Sequence, residues 1–481
     1  MSQNHHTRKL GFLEKYYVCR NVEEYKEDIS VTGQYNHHID EVLLSNALRS
    51  LILKNPVFAL NIYRDGDLQY DAKMNGDNFT VRPVERIAFS DVVTFKDIDE
   101  PFGALELNAL SEQVSPVNDT RPLWRLKVYK SSSSKKQYVT FHCDHTFFDG
   151  LSAAQFHKDL IVEFGIYSGD AALKFQETLF DYTADKSILP SILDSSDKIV
   201  DLYNPSILFS LLAIVQNMLL PKWLSDGFWS LFSTNAEQKP LYTHMPTQKG
   251  AKSNQRCVNI KPHDVKRLRA FCKSQGTTLT PYITAIAMYA LQETVFPFVS
   301  NSQCSFQVDI PINGRRYFPD KAKYTKYGLY AGPFSCKMGP VSKSTGSYDD
   351  LKVPINTLTT QLSSSVADKS PFSYVGLLKY VNCWNFLASK IGKTDSRLTL
   401  EVSNLGFHLI SHDNWSVENL WFNQTNGILN HFCLSLIATE SNGLNLLASY
   451  LADLDMVQTS LRKLVIDEFM ALFTTKLLEH V

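Results

Sequence analysis

The stretch from Tyr138 to Phe164 limits what this chain can fold into more than any other. Tyr138, Val139, Thr140 and Phe141 are strong β-formers. Behind Gly150 the apolar positions fall at helical spacing, with Ala153, Phe156, Leu160 and Phe164 on one face. A strand that gives way to a helix so quickly needs a corner, and His145-Thr146-Phe147-Phe148-Asp149-Gly150 fills it. Gly150 is expected to let the chain turn there without steric cost. His145 and Asp149, flanked by Phe141, Phe147 and Phe148, can occupy a mostly apolar cavity. Such surroundings favour the neutral imidazole that a general base requires.

The same residues contain His142-x-x-His145-x-x-x-Asp149, which has the residue types of a zinc site. On a strand, however, His142 and His145 are an odd number of residues apart and face opposite sides. No metal is therefore expected. Asp144 reads as an exposed or backbone-bonded carboxylate without a role in chemistry.

Length and composition narrow the function classes. A chain of 481 residues corresponds to about two to four domains, or two large ones. The formal net charge is −1 and no long basic block occurs, so there is no electrostatic footprint for nucleic acid. Eight cysteines are scattered without a CxxC pair, and no secretory signal is recognisable. Both point to reduced thiols and a cytoplasmic protein. No run reaches the roughly 20 apolar residues of a membrane span. The nearest, from Ile207 to Leu220, carries Gln216 and Asn217 and stops at Pro221. It reads as a core helix or as one lying on a membrane surface, which leaves peripheral contact with endoplasmic reticulum or lipid droplets open.

Other elements follow from caps and periodicity. Asp40 caps a helix running to about Lys54. Val57 to Tyr63 reads as a strand, Arg64 to Asp67 as a hairpin turn, and Pro122 to Tyr129 as a further strand. Residues 234–256 are polar and aperiodic and are taken as a linker between an N-terminal half, 1–233, and a C-terminal half, 257–481. The second half opens with a short strand, Val258 to Ile260, then helices from His263 to Ser274 and from Thr280 to Glu293. A strand from Cys304 to Ile312 feeds Asn313-Gly314-Arg315-Arg316, and one from Leu398 to Val402 ends at Ser403-Asn404-Leu405-Gly406. Phe432 to Thr439 and Leu444 to Leu451 form a hairpin. An amphipathic helix from about Val457, with Leu461, Val465, Phe469, Leu472 and Phe473 inward, closes the chain.

His145-x-x-x-Asp149-Gly150 at a strand end resembles the HxxxDG signature of CoA-dependent acyltransferases. That superfamily includes the chloramphenicol acetyltransferases, the plant BAHD enzymes and the condensation domains of peptide synthetases. Further stretches resemble the superfamily in the same order. They are Pro122 to Tyr129 (PLWRLKVY), the helix pair VKRLRAFCKSQGTTLTPYITAIAMYAL, Asp309-Ile310-Pro311-Ile312-Asn313-Gly314-Arg315, and Glu401-Val402-Ser403-Asn404-Leu405-Gly406. The N-terminal HTRKLGFLEKYYVCRN is most similar to the fungal alcohol acetyltransferases, a related branch of which acetylates sphingoid-base-like amines. The plant DFGWG motif and the paired histidines of condensation domains are absent.

The resemblance implies an α/β (α+β) fold of two chloramphenicol-acetyltransferase-like halves with an active-site tunnel between them. It implies acetyl-CoA as co-substrate, without a metal, and a small, apolar alcohol or amine as acceptor; separately, nothing in the sequence demands an oligomer, and a monomer is expected. His145 and Asp149 become the candidate catalytic pair. His145 takes the acceptor's proton, while Asp149, with Gly150, shapes the corner by pairing with Arg315, or alternatively with Arg316. Ser403 and Asn404 are the candidates for contacting the oxyanion. The expected activity is O-acetylation of an alcohol by way of a ternary complex. N-acetylation of a sphingoid-base-like amine, and a non-catalytic CoA-thioester or lipid-binding role, remain as alternatives.

Overall fold

Two six-stranded sheets organise the chain. The computed structural model describes residues 6–25, 28–65, 72–214, 239–300, 303–341, 347–394 and 398–479. The first sheet draws on Ile29–Tyr35 (β1), Val93–Ile98 (β2), Trp124–Ser131 (β3) and Gln137–Cys143 (β4). The second begins with Ser253–Ile260 (β5), Phe306–Asn313 (β6), Ala331–Met338 (β7) and Leu398–His408 (β8). Ser411–His412 (β9) and Trp415–Gln424 (β10) then return to the first sheet, and Asn430–Thr439 (β11) and Gly443–Leu451 (β12) complete the second. The orders are β9-β10-β1-β4-β3-β2 and β5-β12-β11-β8-β6-β7. Strand β10 thus crosses from late in the sequence to pair antiparallel with β1.

Each sheet is apolar on one face, where helices cover it. The helices that matter here are Phe12–Val22 (α1), Glu41–Lys54 (α2), Gly150–Tyr167 (α3), Pro262–Ser274 (α4), Leu279–Thr294 (α5), Tyr348–Asp368 (α6) and Val465–Leu478 (α7). Val139 and Phe141 of β4 pack with Leu48 of α2 and with Phe156 and Leu160 of α3. Val308, Leu400 and Leu434 pack with Ile283 and Ile286 of α5 in a second core. The alternate residues of the strands point the other way, and there the two sheets meet through buried amides. Asn445 Nδ2 donates to Asn419 Oδ1 at 2.7 Å, and Ser449 Oγ to the Gln424 carbonyl at 2.8 Å. A polar face survives burial because its groups find partners across the joint.

Helix α2 begins as its cap dictates, with Leu43 N–H donating to Asp40 Oδ1. Elsewhere the elements differ from expectation. Pro56 starts a 3₁₀ turn over Pro56–Ala59, so the strand expected from Val57 begins only at Leu60. Strand β5 reaches back to Ser253, because all its residues pair with β12. Helix α7 starts at Val465 rather than near Val457. Leu461 is exposed beside Arg462, whose φ of +59° breaks helical geometry. Val465, Phe469 and Phe473 are buried as expected. Within Ile207–Ile214, Ile207 and Leu211 are exposed. The rest of the apolar run and the turn at Gly66-Asp67 lie outside the described residues. Among the described residues no helix is long and apolar enough to cross a membrane.

Candidate active site

The corner between β4 and α3 is fixed by a cap. Asp149 is the N-cap of α3, and its Oδ1 accepts from the backbone N–H and the hydroxyl of Ser152. The rest of the carboxylate faces the second half of the chain. Arg315 Nη1 donates to Oδ2 at 2.6 Å, Nη2 to Oδ1 at 3.1 Å, and Tyr330 N–H to Oδ2. Arg315 comes from a 3₁₀ turn directly after β6, where Asn313 caps its N–H. Its remaining donors reach the Thr325 and Gly328 carbonyls. Burial alone would raise the Asp149 pKa; the Arg315 charge and the backbone donors hold it below the usual carboxylate range. Asp149 is therefore spoken for on both oxygens, and Arg316 takes no part in this pair.

Gly150 is needed for space. Its φ is not positive, so the turn itself does not demand glycine. A Cβ built on it would stand 2.6 Å from Leu405 Cδ2 and 3.2 Å from Phe422 Cζ. Leu405 sits on a bulge in β8, where the register with β11 slips between Asn404 and Phe407. Gly406 takes φ +81° there, and its N–H donates to Asn404 Oδ1. The strand expected to stop at Ser403–Gly406 instead continues to His408 through this bulge. Bulge and corner thus touch, and the first and second halves meet at Gly150.

His145 lies half-buried in the corner loop, with its Nδ1 sealed from solvent. Burial lowers its pKa below the ordinary imidazole value, outweighing the upward pull of the Asp149 charge. The ring is thus neutral at neutral pH and can accept a proton. Across the corner, Ser403 is buried on the face of β8 that looks toward the first sheet. Its hydroxyl has no hydrogen-bond partner among the described residues, and it is not sealed off as the Ser435 hydroxyl is. Asn404 is committed on both sides, since its Nδ2 donates to Thr280 Oγ1 at 3.1 Å.

Several residues here escaped the sequence reading. Tyr17 of α1 lies against His145, with ring centroids 4.7 Å apart and planes inclined by 32°. One helical turn on, Asn21 Nδ2 donates to Asp144 Oδ2 at 2.6 Å and to the Ser115 carbonyl. Asp144 is buried and also accepts from Thr146 N–H, so it braces the loop that carries His145. Burial and the nearby Asp28 charge raise its pKa. His142 hydrogen-bonds Asp28 at 2.8 Å in the same buried cluster, away from His145. The spacing of Tyr17 and Asn21 on one face of α1 was the available signal, but nothing in the sequence says which loop that face meets.

A small cavity of about 90 Å³ is lined by Thr146 and Phe147 of the corner itself, and two larger ones lie against the elements that support the corner. One of about 640 Å³ runs along α4 and ends at Asn404 and Gly406; its walls include Leu279, Thr280 and Leu444, with Lys266, Arg269 and Lys273 at the rim. These three cations have no ion-pair partner among the described residues. The other, about 510 Å³, is lined by Val22, Val114 and Val117 and reaches Asn21 and Asp28.

The model of the family described as alcohol acetyltransferase matches residues 9–477. Alcohol O-acetyltransferase 2 of Saccharomyces cerevisiae is 23% identical over 95% of this chain and 92% of its own length. N-acetyltransferase SLI1 of the same yeast is 21% identical over 92% of this chain and 95% of its own. Among solved structures, the TRI3 trichothecene 15-O-acetyltransferase of Fusarium sporotrichioides shares the fold, with a TM-score of 0.64 at 15% identity, over 98% of this chain and 95% of that one. With a histidine-bearing corner locked by an arginine from the other half, and the family's pattern running through nearly the whole chain, this protein belongs to the alcohol acetyltransferase family and is an acyltransferase enzyme.

Proposed function

We propose that the enzyme transfers the acetyl group of acetyl-CoA to a small, apolar alcohol and forms an acetate ester. The observation that carries this reading is His145, held neutral by burial in the corner that Arg315 locks from the other half. The cavity rimmed by Lys266, Arg269 and Lys273 suits the phosphates of CoA, and its apolar walls suit the pantetheine arm. The second cavity, apolar around Val114 and Val117, supplies the acceptor's route.

In the reaction, His145 accepts the hydroxyl proton as the acceptor oxygen attacks the thioester carbon. The Ser403 hydroxyl donates to the oxyanion, a contact worth roughly 3 kcal/mol. The intermediate collapses, the carbon–sulfur bond breaks, and the proton on His145 passes to the departing thiolate. Asp149 touches neither substrate; with Arg315 it sets the loop that aims the imidazole. An enzyme that holds both reactants at once gains on the order of 7 to 11 kcal/mol at best from orientation. The similarity to an N-acetyltransferase over most of the chain supports a second reading, in which a long-chain amine is acetylated by the same base. Exposed Ile207 and Leu211 offer a point of contact with a membrane surface from which an apolar acceptor could be drawn.

The test is release of free CoA thiol by purified protein given acetyl-CoA with butanol, octanol, dodecanol, octylamine or dodecylamine, with products identified by mass. Ester formation with an alcohol is the expected result. Amide formation alone moves the assignment to the amine reading, and no release with any acceptor favours a binding role.

A further inference from the structure

Tyr17 belongs to α1 but packs partly on the second core while its ring rests on His145. It therefore stands where the two halves close on the base. Its hydroxyl has no hydrogen-bond partner among the described residues. Nor is that hydroxyl sealed in the interior, as the unpartnered hydroxyls of Tyr242 and Tyr282 are. A phenol so placed, next to a base and open to the space beside it, has one hydrogen bond left to give. Burial, reinforced by the Glu401 charge from across the joint and only partly offset by Arg20, raises its pKa. The group is a donor at every pH at which the enzyme folds, and it cannot compete with His145 as a base.

We infer that Tyr17 is a further catalytic residue, whose O–H donates to the carbonyl oxygen of the acetyl thioester as that oxygen becomes an oxyanion. The inference rests on the acetyl-transfer reading above. The covalent balance is unchanged: the acceptor oxygen bonds to the carbonyl carbon, His145 holds the proton, and the carbon–sulfur bond breaks with that proton passing to sulfur. Tyr17 keeps its own proton throughout and lends only a hydrogen bond that shortens as charge develops. Tyr17 on α1 and Ser403 on β8 come from opposite halves, so an oxyanion site built from both is complete only when both halves are in place.

Tyr17→Phe and Tyr17→Leu separate the hydroxyl from the ring. Both are compared with wild type in steady-state acetylation of the fastest acceptor in the panel above, and their melting temperatures are recorded. The expected result for Tyr17→Phe is a kcat lower by on the order of 100-fold. Its KM values for acetyl-CoA and acceptor stay within about twofold, and its melting temperature is unchanged. A Tyr17→Phe enzyme with wild-type kcat overturns the inference, whatever Tyr17→Leu does, because the ring then serves packing alone. A raised acceptor KM at unchanged kcat also overturns it, by making the hydroxyl a ground-state contact. A wild-type enzyme that acetylates nothing fails at the earlier step, and is thus distinguishable from an active enzyme indifferent to Tyr17→Phe.

Discussion

At the scale of single residues, two titratable groups close in sequence are driven to different charge states by their surroundings. His145 is kept neutral by burial, so kcat/KM for transfer should rise with pH through a midpoint below 6.5 and stay flat across neutrality. A pH–rate profile with its midpoint above 6.5 would mean that another group supplies the base. Asp149 is kept charged, and its folded pKa lies below its unfolded one. Its contribution to stability is fully present above the unfolded value of about 3.9 and is lost as pH falls through the lower folded value. Asp149→Asn leaves Arg315 with its carboxylate partner gone in a buried setting, which costs about 3 to 5 kcal/mol. Urea unfolding at neutral pH should show that loss, with transfer falling alongside. An Asp149→Asn protein as stable as wild type yet inactive would instead give Asp149 a direct part in the chemistry.

Among the elements, the contact between the corner and the bulge in β8 decides how the halves fit. Gly150→Ala pushes a methyl group against Leu405 and should cost about 1 to 3 kcal/mol. Leu405→Val removes the atom it meets, so the double variant should recover much of the loss. Additive losses in a double-mutant cycle would show that the two residues do not share this contact. This part of the site was only half legible in the sequence. The strand–corner–helix pattern placed His145 and Asp149, because hydrophobic period and turn residues are local signals, whereas Arg315 as the partner of Asp149 came from the family resemblance alone. The bulge at Leu405 was read as a strand end, since Gly406 signals a change of backbone without saying that pairing resumes beyond it. Gly150 was credited with a turn when its reason is a neighbour more than two hundred residues away. Neither the contact of Tyr17 with His145 nor the crossing of Trp415–Gln424 into the first sheet had a local signature.

For the whole molecule, two halves share a polar seam. The proposed function needs that seam to bring the cation-rimmed cavity of one half into line with His145 in the other. Lys266→Glu combined with Arg269→Glu should raise KM for acetyl-CoA about tenfold, roughly 1.4 kcal/mol of binding. The effect should shrink with added salt, since both side chains are exposed. An unchanged KM would direct the CoA phosphates elsewhere. The rate of CoA release by His145→Ala, measured beside wild type with one alcohol and checked by cooperative unfolding, bears most directly on the proposed chemistry. The expected outcome is a folded protein whose transfer rate is lower by about 10² to 10⁴. A folded His145→Ala enzyme that turns over at the wild-type rate is incompatible with a base at this corner.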